Sequence, residues 1–189
     1  MAPLWGASDS DESKPKNLTT AEKKEVYATA SGWVREAGSA LSGNGNTNAD
    51  PEVLVAVSGL AVSLGAADIT EIEFVTTTFS KAAGVTLTVD VRFNEEVTVT
   101  GTPQLTVVND QRANHTLAYA SGSGSNELRF QLAIGANDAA TNAGDVLSIG
   151  TNAMALNGGT VKDKGTNTDS TITNVASIGT AAGTITVAA

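Results

Sequence analysis

The chain has 189 residues, enough for one β-sandwich of about 100 residues plus an appendage. Apolar residues make up 41% but aromatics only 4%, so Val, Leu and Ile must fill the core, at roughly 1.5–3 kcal/mol per fully buried side chain. The net charge of −9 disfavours any grip on nucleic acid, and the lack of cysteine excludes disulfides and thiolate metal sites.

Residues 1–50 read differently from the rest of the chain. Both tryptophans, Trp5 and Trp33, lie in the first segment with Tyr27, whereas all four phenylalanines fall between Phe74 and Phe130. The first residues, MAPLWG, lack the basic start and apolar stretch of a secretory signal, which predicts a chain made in a cytoplasm. Residues 9–16, DSDESKPK, read as a polar linker. Thr19 and Glu22 have capping-box spacing, so a short helix is expected over 20–25. Segments 25–29 and 32–36 read as two short strands around Ala30-Ser31. Residues 43–50, GNGNTNAD, read as a loop, and 52–57 as a third strand ending at Gly59 or Gly65.

The first 50 residues carry only eight large apolar side chains, little more than half the density of segment 67–165. Ordering a backbone costs roughly 1–2 kcal/mol per residue, which so sparse a core hardly offsets. This arm is therefore expected to order against the rest of the chain or against another protein. Trp5, flanked by Leu4 and Gly6 ahead of the linker, suits an anchor in a partner's pocket. For Trp33, between Gly32 and Val34, local packing is the favoured reading. Lys14, Lys16, Lys23 and Lys24 read first as a solvated face.

From residue 67 the strand signals are continuous. In 85–93, Val85, Leu87, Val89, Val91 and Phe93 share one face and Thr86, Thr88, Asp90 and Arg92 the other, a half-buried strand with a solvated outer face. Val97 and Val99 resume the pattern, Gly101-Thr102-Pro103 turns the chain, and Leu105 and Val107 come next. Segments 115–120 and 128–134 form a pair joined by SGSGSN at 121–126. Residues 146–149, 154–156 and 160–161 supply further strands, and 171–175 and 183–187 are weak candidates in the tail. Short strands, tight turns and one wet face predict an antiparallel sandwich. No run approaches the ~20 apolar residues that span a bilayer, so no membrane partner is expected.

Candidate chemistry is sparse. His115 is the sole histidine, so neither a catalytic triad nor a zinc site can be assembled around it, and a surface or loop-edge position is expected. Asp145, Asp163 and Asp169 lie in Gly/Asn-rich turns, where calcium ligation and Asx-turn capping are alternative readings. Asp138 and Asp145 have the makings of a glycosidase carboxylate pair, but no aromatic-rich sugar cleft accompanies them. No enzyme, cofactor or metal is expected.

The motifs FSKAAGVTLTVDVRFNEEVTVTGTPQLTV, LAYASGSGSNELRFQLAI and MALNGGTVKDKGTN, in that order over residues 69–167, resemble a bacterial Ig-like module of repetitive extracellular proteins. Family members usually close with D-x-A-G-N; here DKGTN at 163–167 lacks the alanine and shifts the asparagine, which puts a cation at that corner in doubt. The pieces PLWG (3–6), KPK (14–16), EKKEVYATASGWV (22–34) and ADPEVLVA (49–56) resemble structural proteins of marine tailed phages, cyanobacterial ones in particular.

These readings together imply an all-β chain: a virion- or capsid-anchoring arm at 1–66, an Ig-like antiparallel β-sandwich at 67–165, and a tail at 166–189 acting as an edge strand or partner-binding extension. The phage resemblance implies a capsid decoration protein on the virion exterior. Its partners would be the major capsid protein, neighbouring virion proteins and further copies of itself, with weak contact to host-surface glycans. Leu4, Trp5, Lys14, Lys16, Tyr27 and Trp33 are the expected capsid anchor. A neck, tail or fibre protein, and a bacterial adhesin module binding calcium or glycan, are the alternatives.

Overall fold

The fold is seen in a computed structural model that describes residues 14–189. Strands account for 44% and helices for 11%, so the fold is all-β. The first element, α1 (Thr20–Lys24), opens with a capping box: Thr19 Oγ1 accepts from the Glu22 amide at 3.2 Å, and Glu22 Oε2 accepts from the Thr19 amide at 2.8 Å. Next, β1 (Val26–Thr29) and β2 (Gly32–Arg35) form a hairpin, and β3 (Glu52–Ala56) pairs antiparallel with β2. Gly32 has φ +131°, and a Cβ there would lie 2.0 Å from the Val55 carbonyl oxygen, so glycine alone permits this approach. The third strand stops earlier than expected, at Ala56, and α2 (Leu60–Leu64) fills the interval between Gly59 and Gly65.

This N-terminal lobe has a small core of Val26, Ala28, Trp33 and Leu60, ringed by half-buried Leu18, Leu54, Val55, Val57 and Leu64. It also leans on the sandwich. The Ala28 amide donates to the Asn94 carbonyl at 2.8 Å within a parallel bridge between Ala28 and Glu95. Thr166 Oγ1 reaches the Gly65 carbonyl at 3.3 Å. The arm's backbone therefore finds an ordering partner within the same chain.

The sandwich comprises β4 (Ile69–Phe74), β5 (Phe79–Ser80), β6 (Val85–Phe93), β7 (Val97–Thr100), β8 (Gln104–Asn109), β9 (His115–Ser121), β10 (Glu127–Ile134), β11 (Val146–Ala155) and β12 (Thr160–Asp163), then α3 (Ala176–Ala181) and β13 (Thr184–Ala188). One curled sheet runs β4-β6-β10-β9-β8-β11-β13-β5, and β12 pairs separately with β7. Ile72 of β4 and Phe79 of β5, from opposite ends of that order, belong to one core with Leu87, Phe93, Phe130 and Leu147. The SGSGSN loop does not project freely. Gly124 donates to the Val97 carbonyl at 2.7 Å, and the Val97 amide to the Ser125 carbonyl at 2.9 Å, so the loop edges β7.

Three expectations need correction. The outer face of β6 is solvated only at Thr86: Thr88 and Asp90 are buried, and the Arg92 side chain is only 18% exposed. The flanking strands and the N-terminal lobe cover the rest. Residues 166–189 hold neither an edge strand nor a free extension. β13 sits between β11 and β5, antiparallel to one and parallel to the other, and its alternating Ile185 and Val187 enter the main core. The strand expected at 171–175 is absent too. Instead Asn174, 2% exposed, satisfies the irregular middle of β11, accepting from Ala153 N at 2.8 Å and donating to the Gly150 carbonyl at 2.8 Å. α3 follows at once, with Gly179 so close that a Cβ would meet the Ile149 oxygen at 2.4 Å.

Candidate functional site

The expected anchor residues separate into three groups. Leu4 and Trp5 lie outside the described residues. Lys16 is exposed, as a surface anchor requires. Lys14, Tyr27 and Trp33 are buried, which corrects their assignment to a partner-facing surface. Trp33 is fully buried because it is by far the largest apolar group available to the lobe's small core. Lys14 Nζ lies 6.0 Å from the Trp33 ring centroid and donates to the Lys23 carbonyl at 2.9 Å, so its role is local. Tyr27 has its hydroxyl pushed up to about 12, by burial first and then by the charges of Glu96 and Glu36.

What the lobe does expose is apolar. Leu41, Val53 and Val62 are 42%, 55% and 59% exposed, so the lobe shows as many large apolar side chains as the much longer remainder, which shows Val75, Leu156 and Val175. Val53 lies on β3, the outer strand of the three-stranded sheet, whose far edge has no strand beside it among the described residues.

The junction between lobe and sandwich holds a dense charge cluster. Arg92, on the outer face of β6, faces four carboxylates from three directions. Its Nε lies 3.0 Å from Glu127 Oε2 and 3.4 Å from Glu36 Oε1, and its Nη1 lies 3.1 Å from Glu71 Oε2 and 3.0 Å from Glu73 Oε2. Asn126 Nδ2 donates to Glu36 Oε1 at 2.9 Å, and Lys24 pairs with Glu71. Burial pushes the Glu36 carboxyl up to about 7, against the pull of Asn126 and Arg92, with Glu127 and Glu25 adding to the rise. Glu127 is likewise raised, by burial and then by Asp90. Burial opposes the charge on Arg92, yet Glu36, Glu127 and Glu71 outweigh it and hold the guanidinium above its ordinary value. Arg129 is engaged by Asp90 in a two-pronged pair at 2.8 and 2.7 Å. Single residues in the sequence hint at none of this, because Glu36, Glu71 and Arg92 are far apart along the chain.

The other candidates are structural. His115 is buried, not at the surface, with Nε2 3.3 Å from Thr141 Oγ1, and burial lowers its pKa. Asp145 is buried and accepts from Asn109 Nδ2 at 3.0 Å and the Asn142 amide at 2.9 Å, with Arg112 at 3.3 Å. Those donors, Asn109 foremost, hold its carboxyl below its ordinary value. Asp138 caps its own turn through Ala140 N at 2.8 Å. Asp163 does the same through Thr166 N at 2.5 Å, and Asp169 pairs with Lys162 at 3.2 Å. Among the described residues, no three His, Asp or Glu side chains converge as a metal site would require. Two shallow clefts, one of about 150 Å³ beside Ala61, Glu96 and Lys164 and one of about 140 Å³ beside Lys24 and Ile178, are well below the roughly 300–1,000 Å³ of small-molecule sites.

Comparison with known protein families, curated proteins and solved structures finds no match to this chain.

Proposed function

We propose that this chain is a phage virion structural protein, a capsid decoration protein whose N-terminal lobe binds the shell while an Ig-like sandwich projects outward. The observation that carries the reading is the lobe's surface: Leu41, Val53 and Val62 exposed, and an edge of β3 uncovered among the described residues. A lobe with so small a core would minimise such exposure unless a partner covered it. The phage-like pieces of sequence fall in the same part of the chain, at 3–6, 14–16, 22–34 and 49–56. The proposed anchor then comprises the exposed Leu41, Val53 and Val62 together with Leu4, Trp5 and Lys16, while Lys14, Tyr27 and Trp33 are buried and make no direct contact with the shell. Major capsid protein and neighbouring copies are the proposed partners, and the capsid exterior the proposed location. Contact of the sandwich with host-surface glycans would be weak.

The test is co-sedimentation with empty shells of the parent phage. Val53→Asp and Val62→Asp should each reduce binding by roughly tenfold or more, since losing about 1.4 kcal/mol of contact is a factor of ten. Their melting temperatures should stay within a few degrees of the parent's. Undiminished binding by both variants overturns the proposal. Copy number separates shell from tail, because decoration requires many copies per particle and a neck, tail or fibre part only a few.

A further inference from the structure

We propose that the N-terminal lobe is docked on the sandwich by a proton-dependent latch, centred on Glu36 and Arg92, that holds under mildly acidic conditions and loosens as pH rises to neutrality. Four carboxylates crowd one guanidinium in a largely covered space. Lys24, paired with Glu71, adds a second positive charge, and two cations cannot balance four carboxylates when every one is ionised.

Glu36 is the member contributed by the lobe; the others belong to the sandwich. From β6 it faces Arg92, with Asp90 behind and closed by Arg129. From β10 it faces Glu127, and beyond Arg92 lie Glu71 and Glu73 of β4. From its own lobe it faces Glu25 and Tyr27, while Lys24 brings a second positive charge onto Glu71. Glu36 thus has one cation, one neutral donor in Asn126, and an excess of negative neighbours. Protonated, it keeps the Asn126 bond and leaves Arg92 to Glu127, Glu71 and Glu73. Ionised, it adds a further negative charge at the seam.

The direction follows from linkage. Burial pushes the Glu36 carboxyl up from 4.5 to about 7 in the folded protein, so the folded junction holds the proton more tightly. Docking is then strongest below about 4.5 as far as this group is concerned, and weakens as pH rises through about 7. The raised Glu127 acts with the same sign. The latch belongs to the junction and does not depend on which partner the lobe meets.

The experiment is amide hydrogen exchange on the full chain between pH 5 and 8.5, corrected for intrinsic exchange. The Ala28 amide, bonded across the junction to Asn94, reports docking; Leu132 in β10 reports the sandwich. Protection at Ala28 should fall by about tenfold or more across that range while Leu132 holds. Glu36→Gln, which keeps an acceptor for Asn126 but cannot ionise, should remove most of the dependence and leave only the smaller part that Glu127 contributes. A flat Ala28 profile in the parent, an equal fall at Leu132, or an unchanged profile in Glu36→Gln each overturns the latch. If Glu36→Gln does not fold, the carboxyl carbon of Glu36 in the parent is titrated by NMR. A midpoint clearly above 4.5 supports the proposal and an ordinary midpoint overturns it.

Discussion

Asn174 does the work of a strand with one side chain. β11 loses register with β8 between Ile149 and Met154, which leaves backbone groups of 150–153 without a sheet partner. The Asn174 amide meets two of them, and its own carbonyl takes the Asn152 amide at 3.1 Å. Replacing it with alanine strands the Ala153 amide in a buried position, so Asn174→Ala should cost about 1–3 kcal/mol in urea unfolding, with an unchanged slope. Trp33 shows a different residue-scale lesson. Its flanking Gly32 and Val34 favour packing within the lobe, whereas Tyr27 and Lys14 carry no sign of burial in their neighbours. Alternation marks which residues share a face, but not whether that face is covered.

Among the elements, β13 is the most consequential. Thr184, Thr186 and Ala188 look outward and Ile185 and Val187 inward, an alternation short enough to pass for an optional edge. Its place between β11 and β5 makes it part of the sheet's closure, and α3 turns the chain to deliver it. Truncation after Gly183 removes two fully buried side chains, worth about 3–6 kcal/mol together, plus the hydrogen bonds to both neighbours. That is comparable to the whole stability of many domains. The truncated chain should lose cooperative thermal unfolding by circular dichroism and expose enough apolar surface to bind a hydrophobic dye. β6 is the counterpart. Its inner face is legible residue by residue from Leu87 to Phe93, but its outer face is not, because Asp90 and Arg92 look solvated until their partners on β4, β10 and β2's end are brought alongside.

For the molecule as a whole, charge predicts where stability peaks. Asp145, with Asp110 and Glu22, has a carboxyl held below its ordinary value by hydrogen bonds, so its contribution is present above that value and is lost as pH falls further. Glu36 works in the opposite sense, stabilising at low pH and ceasing to do so as pH rises from 4.5 through about 7. The two trends meet in mildly acidic solution. Calorimetry over the acid-to-alkaline range should place the highest melting temperature at about pH 5, with Glu36→Gln flattening the alkaline side. A maximum at or above neutrality would contradict the charge assignment.

The all-β character, the turn at 101–103 and the capping box at Thr19 were determined by the sequence alone. Each depends on residues a few positions apart whose spacing matches a strand, a turn or a helix start. The tertiary structure decided the rest. It placed Glu36 against Arg92, buried Lys14 and Tyr27, made β13 an interior strand, and used Asn174 to mend β11. Apart from the local contacts of Lys14, these join segments that are distant along the chain, where local periodicity carries no information and only the competition for burial and hydrogen-bond partners selects the pairing.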